Sequence, residues 1–101
     1  MVEDRSWSVV VPVWRADGST WHFATVPADV SDDIDATVGD LTGGFGSVRV
    51  EVTLGGSVWR TSLFPSHEHA AYVLPMKAAV RRAEGIGPGD EPTLTLRVVD
   101  R

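Results

Sequence analysis

The sequence predicts a mainly β protein with short helices: a small pseudo-duplicated, split β-barrel capped by two short α-helices. Three observations predict it. Apolar residues alternate along residues 7–13, 48–54 and 94–98, the two-residue period of half-buried strands. Turn dipeptides punctuate these runs at Asp17-Gly18, Gly55-Gly56 and Pro88-Gly89. Only two short stretches, each opened by a proline, carry a helical period.

The elements follow in order. Trp7, Val9, Val11 and Val13 share one face of a first strand, whose β-branched residues suit a pleated surface. Pro12 cannot donate to a ladder, so this strand lies at an edge or holds a bulge. Asp17-Gly18 turns the chain into a second strand over residues 20–26. Pro27 opens a helix in which Val30, Ile34 and Val38 form one apolar stripe, ending by Gly39. Asp29, Asp32, Asp33 and Asp35 crowd the front of that helix, where negative charge is favoured by the backbone dipole. Gly43, Gly44 and Gly46 form a flexible loop.

The hairpin that follows predicts its own register. Val48, Val50, Val52 and Leu54 alternate with polar residues, and Gly55-Gly56 is the turn. Counting back from the turn pairs Val52 with Trp59, Val50 with Thr61 and Val48 with Leu63. Glu51 then lies opposite Arg60 on the other face. A short strand over residues 72–74 leads to Pro75, which opens a helix over residues 76–84 with Ala79, Val80 and Ala83 on its apolar side. Gly85 caps it in the left-handed conformation, and Ile86 folds back on the last turn. Gly87-Pro88-Gly89-Asp90 fits a type II turn. Leu94, Leu96 and Val98 form the buried face of the last strand.

Composition bounds the function. A chain of 101 residues, 43% of them hydrophobic, fits one globular domain over residues 1–101. Without cysteine there is no disulfide, thiolate nucleophile or Cys-bound metal. The start of the chain lacks an apolar signal core, and the longest apolar run, residues 9–14, is too short to span a bilayer. A cytoplasmic location without membrane attachment is expected. The net charge of −5 has the wrong sign for a phosphate-backbone binder, so nucleic acid is an unfavoured partner.

Two stretches share one plan: aromatic strand, proline, short helix, Gly-bearing loop, alternating strand. Aligned on Pro27 and Pro75, they predict an internal repeat in which one chain supplies both halves of a barrel, and hence a monomer. The residues of 21–30, the run Gly46-Ser47-Val48-Arg49-Val50-Glu51-Val52-Thr53-Leu54-Gly55-Gly56, then Trp59-Arg60-Thr61-Ser62-Leu63, residues 72–86 and Gly89-Asp90 resemble the bacterial domain of unknown function DUF1905 over about residues 21–98. That resemblance implies a small closed or split β-barrel with short helices and no established activity. It leaves Trp7 and Trp14 outside. Leu74-Pro75, Arg81, Gly85-Ile86 and Gly89-Asp90 are also similar to the swapped-hairpin transcription factors of the AbrB and antitoxin kind, which are DNA-binding homodimers. Here the first half departs from that pattern. Where the second half has Lys77, Arg81 and Arg82, it has Ala28, Asp32 and Asp33.

The candidate chemistry is sparse. Lys77, Arg81 and Arg82 form one basic cluster; Lys77 and Arg81, four apart, can hold a phosphate or carboxylate, although a solvated helix face explains them equally simply. Trp59 and Trp21 can line a pocket in a barrel mouth, and the pairing of Trp59 with Val52 also suits a core position. His67 and His69, if on one strand face, are weak metal candidates that need a third ligand from Glu68, His22 or elsewhere; a polar loop is the simpler reading. The glycines around Phe45 are not followed by the Lys-Ser/Thr of a phosphate loop, and no serine sits in a nucleophile elbow. No catalytic residue and no cofactor are predicted. The leading expectation is a non-enzymatic module that binds a small anionic ligand or a protein partner, with Lys77 and Arg81 on the anion and Trp59 beside it or in the core. An AbrB-like nucleic-acid regulator and a metal-dependent enzyme using His67 and His69 are the alternatives.

Overall fold

The structure is a computed structural model describing residues 6–38 and 46–99. The expected helix stop at Gly39 and the loop glycines Gly43 and Gly44 lie outside the described residues. Along the chain run β1 (Ser6–Val10), β2 (Val13–Arg15), β3 (His22–Thr25), α1 (Ala28–Val38), β4 (Val48–Leu54), β5 (Ser57–Ser66), β6 (Ala71–Pro75), α2 (Ala78–Glu84) and β7 (Thr93–Val98). The strands form one seven-stranded sheet in the order β1-β7-β4-β5-β6-β3-β2, every neighbouring pair antiparallel.

The two ends of this order are consecutive in the chain. Val11 N–H donates to the Pro92 carbonyl at 3.0 Å, and the Pro12 carbonyl accepts from Thr25 N–H at 3.1 Å. The stretch holding β1 and β2 therefore lies along β7 first and along β3 afterwards, and the sheet curls into a half-barrel. Pro12, which has no N–H to give, sits at the crossing from one neighbour to the other. β5 makes a matching crossing: residues 57–63 pair with β4, and residues 64–66 with β6. Val9, Val11, Val50, Val52, Leu63, Leu74, Leu94 and Leu96 fill the enclosed face, with Ile34 and Met76. Packed at van der Waals contact, such side chains supply most of the folding energy of a small domain.

The hairpin has the predicted register: Val52 opposite Trp59, Val50 opposite Thr61, Val48 opposite Leu63 and Glu51 opposite Arg60. Gly55 has φ +57, the left-handed backbone that favours glycine, and an added Cβ would displace the Glu84 carboxylate. Glu51 also takes Arg97 of β7, at 3.0 Å, in addition to Arg60 at 3.5 Å. The Arg97 hydrogen bond, helped by the charges of both arginines, holds the Glu51 carboxyl below its ordinary pKa. Gly85 is left-handed, and Ile86 N–H returns to the Arg81 carbonyl at 2.9 Å. Gly89 has φ +92, and Asp90 N–H bonds the Gly87 carbonyl, as a type II turn requires.

Two expectations are corrected. Pro75 ends β6 instead of opening a helix; α2 starts at Ala78 and Lys77 is its N-cap, with extended backbone (φ −68, ψ 154). Ala79 and Ala83 are exposed, and Val80 alone buries α2. His67 and His69 lie in the turn between β5 and β6, the simpler reading of that segment. No helix among the described residues is long and apolar enough to cross a membrane.

Candidate functional site

The ladder between β3 and β6 pairs Ala24 with Leu74, flanked by Phe23–Pro75 and Thr25–Val73. The hydrogen bonds around it come in matched sets. Val26 N–H donates to the Tyr72 carbonyl, and Met76 N–H to the His22 carbonyl, both at 2.9 Å. Ser31 N–H donates to the Pro27 carbonyl, and Arg81 N–H to the Lys77 carbonyl. Ser31 Oγ donates to the Val26 carbonyl at 3.2 Å, and Arg81 Nε to the Met76 carbonyl at 3.0 Å. Position by position, Val26 thus corresponds to Met76, His22 to Tyr72, Pro27 to Lys77 and Ser31 to Arg81. The sequence alignment on Pro27 and Pro75 is out of step with this pairing. The counterparts of Lys77, Arg81 and Arg82 are Pro27, Ser31 and Asp32, so only the last position reverses its charge.

Beside each helix lies a pocket. The one at α2 has a volume of about 380 Å³. Lys77, Ala78 and Arg81 form one wall; Trp21 and His22 of the β3 segment form another; Thr61 of β5 closes the floor with Pro75 and Met76. No carboxylate among the described residues lines it. The Nε bond to the Met76 carbonyl anchors Arg81 and leaves its terminal nitrogens available. The ion pairs among the described residues involve Glu51, Arg60 and Arg97, so Lys77 and Arg81 form none.

His22 is buried at 8% exposure. Its Nδ1 lies 2.8 Å from the Thr20 carbonyl, which can only accept, so Nδ1 carries a proton. In the neutral ring Nε2 is then an acceptor. Trp21 is 64% exposed on the rim, and its ring lies nearly parallel to Phe23 at 6.3 Å. Phe23 continues to Trp14 at 5.1 Å, and Trp14 to His69 at 4.8 Å, forming an aromatic row on the outside of the sheet. The Trp14 indole is fixed by a 2.8 Å bond from Nε1 to Thr25 Oγ1.

The pocket at α1 is smaller, about 250 Å³. Asp32, Asp35, Ser66, His67 and Tyr72 are among its lining residues. Tyr72 Oη donates to Asp35 Oδ1 at 3.2 Å. Burial, with the Asp35 charge and hydrogen bond, raises the phenol above its ordinary pKa of 10.0. Ser31 Oγ, at 4% exposure, also accepts from Tyr72 N–H at 3.0 Å and ties α1 to β6.

The structure brings Lys77 and Arg81 to one pocket. Trp59 is not among that pocket's lining; it packs against the core, on the same face of β5 as Thr61, and its buried Nε1 finds no hydrogen-bond partner among the described residues. His67 and His69 part company, one lining the α1 pocket and the other stacked on Trp14. No group of three or more His, Asp or Glu side chains among the described residues is placed to hold a metal ion. Sequence reasoning missed His22 as a pocket residue, since a lone histidine in an apolar strand carries no pattern.

The DUF1905 family, a domain of unknown function, matches residues 11–96. The chain belongs to the DUF1905 family. The match begins before residue 21, so β2 and Trp14 fall inside the DUF1905 region and Trp7 remains outside. It spans both pockets completely. No curated protein matches the chain.

Proposed function

We propose that this DUF1905 protein is a non-enzymatic binding module whose α2 pocket takes a small anionic ligand. One observation carries the reading. Among the described residues, two cations that form no ion pair, Lys77 and Arg81, line a pocket that no carboxylate lines, on a chain of net charge −5. A charge-assisted contact to an anion is stronger than a neutral hydrogen bond, and a concave site strengthens it further by excluding water. Trp59 packs against the core and is not part of the lining that meets the ligand. The matched pairing of the two halves reads as an internal repeat, with one chain supplying both and acting as a monomer in the cytoplasm.

Calorimetric titration with inorganic phosphate, small carboxylates and sugar phosphates tests the reading. The intact protein binds at least one of these classes, and Lys77→Glu combined with Arg81→Glu abolishes that binding while the circular dichroism spectrum is unchanged. Equal binding by the folded double variant sinks the assignment. Duplex DNA is the comparison probe. The acidic α1 side opposes it, and a mobility shift of duplex that weakens steeply with salt would replace the small-ligand reading with the regulator reading.

A further inference from the structure

We infer that the anion of the α2 pocket is a phosphomonoester attached to a planar ring, a nucleoside monophosphate, with its base on Trp21. The inference rests on the anion reading and adds what the rest of the pocket asks for.

Trp21 is the first reason. A 64% exposed tryptophan stands at the rim, with Phe23 alongside its ring and the rest of its surface open. The row continuing through Trp14 to His69, and the Trp14 bond to Thr25, hold this aromatic edge in place. A rigid indole beside an anion site is the arrangement on which a heteroaromatic base stacks, and such stacking tolerates any base. A bare phosphate or short carboxylate would leave it unused.

Charge is the second. The pocket offers two cations, Lys77 and Arg81. A phosphomonoester carries about −1.5 to −2 at pH 7, so one such group matches them, whereas a triphosphate would bring uncompensated charge to an already acidic chain. The size agrees: about 380 Å³ lies toward the small end of ligand pockets.

The third is the polar group between base and phosphate sites. With Nδ1 donating to the Thr20 carbonyl, the neutral form of His22 offers Nε2 as an acceptor, and it makes no hydrogen bond among the described residues. It suits a hydroxyl donor, as a ribose provides, and Thr61 adds a second hydroxyl partner. The counterpart of His22 in the other half, Tyr72, is occupied by Asp35, and the counterpart of Trp21 is Ala71. The α1 pocket therefore lacks both the stacking surface and the cations.

The test uses the full chain with adenosine 5′-monophosphate, ribose 5-phosphate, adenosine and inorganic phosphate, read by calorimetry and tryptophan fluorescence. Adenosine monophosphate is expected to bind tighter than ribose 5-phosphate and to quench fluorescence. Trp21→Ala, an exposed change that leaves the fold intact, should weaken the nucleotide about tenfold, the loss of one base–aromatic stack, and leave ribose 5-phosphate within about twofold. Lys77→Gln should weaken both. If ribose 5-phosphate binds as tightly as the nucleotide, or Trp21→Ala leaves nucleotide affinity unchanged, the nucleotide inference fails while the anion reading stands. If none of the three phosphates binds, the nucleotide inference fails; if the small carboxylates do not bind either, the anion reading fails with it. Adenosine binding as tightly as its monophosphate also overturns the inference, since the cations would then play no part.

Discussion

The α2 and α1 pockets occupy the same place in the two halves of one sheet, yet Lys77 and Arg81 line the first and Asp32 and Asp35 the second. The backbone hydrogen bonds that frame them are the same. What differs is how each half satisfies the carbonyl that precedes its helix. In the α1 half Ser31 Oγ does so, and being short and buried it also accepts Tyr72 N–H, which ties α1 to β6. In the α2 half Arg81 Nε makes the equivalent bond, and the rest of the guanidinium reaches onward into the pocket. A single scaffold position therefore ties helix to strand in one half and, on the proposed reading, binds the anion in the other. An open site on a shared frame needs only one long, branched donor where its twin has a short one.

The largest expected effect breaks the frame itself. Ala24 and Leu74 face each other at the centre of the β3–β6 ladder, both fully buried. Leu74→Ala should cost about 2–5 kcal/mol by opening a cavity, and Ala24→Leu about 1–3 kcal/mol by overpacking. Because the two side chains share one space, the exchanged pair should cost clearly less than the sum in urea denaturation. Strict additivity would show that the two halves do not pack against each other at this point.

The next comparison is between the matched donors. Ser31→Ala strands the Tyr72 N–H in the interior and should cost about 1–3 kcal/mol. Arg81→Met removes a half-exposed bond and should cost about 0.5–1.5 kcal/mol. A greater loss at Arg81 would reverse the division of labour between rigid and open halves.

Smaller effects are read by titration. Tyr72 is the single tyrosine, so ultraviolet absorbance reports it alone. Its phenolate should appear above the ordinary value of 10.0. Asp35→Asn should move the midpoint down without abolishing the shift, because burial is the larger cause. The folded state then holds this proton longer than the unfolded one, so its contribution to stability is complete below pH 10 and is lost as pH rises through the folded value. Glu51 has the opposite sign. Its pKa is held down by Arg97 first, so its contribution is present above the ordinary value of 4.5 and is lost as pH falls through the folded value. Glu51→Gln should flatten the acid limb of the stability curve, and only slightly, because exposed ion pairs contribute little.

Much of the architecture was legible because it is written in local patterns. The alternation of Val48, Val50, Val52 and Leu54 and the turn at Gly55 define a register with one consistent solution, and the observed pairs are those. Pro12 marked an edge or a bulge and not the crossing from β7 to β3, while Gly85 and Gly89 took the left-handed backbone that their turns require. Proline misled at Pro75, since the same ring suits the last position of a strand and the first turn of a helix, and only the neighbours of β6 decide between them. That choice displaced the alignment of the two halves and with it the partners assigned to Lys77 and Arg81.

The sequence by itself determined the strand faces, the hairpin register, the turn types and the acidic balance, because each depends on residues within a few positions of one another or on simple counts. Only the tertiary structure decided which side chains meet: Trp21 and His22 with Lys77 and Arg81, Ser31 with Tyr72, Arg97 with Glu51. Those contacts join segments far apart in the chain through the curl of the sheet. No local period encodes that curl; the packing of the whole core sets it.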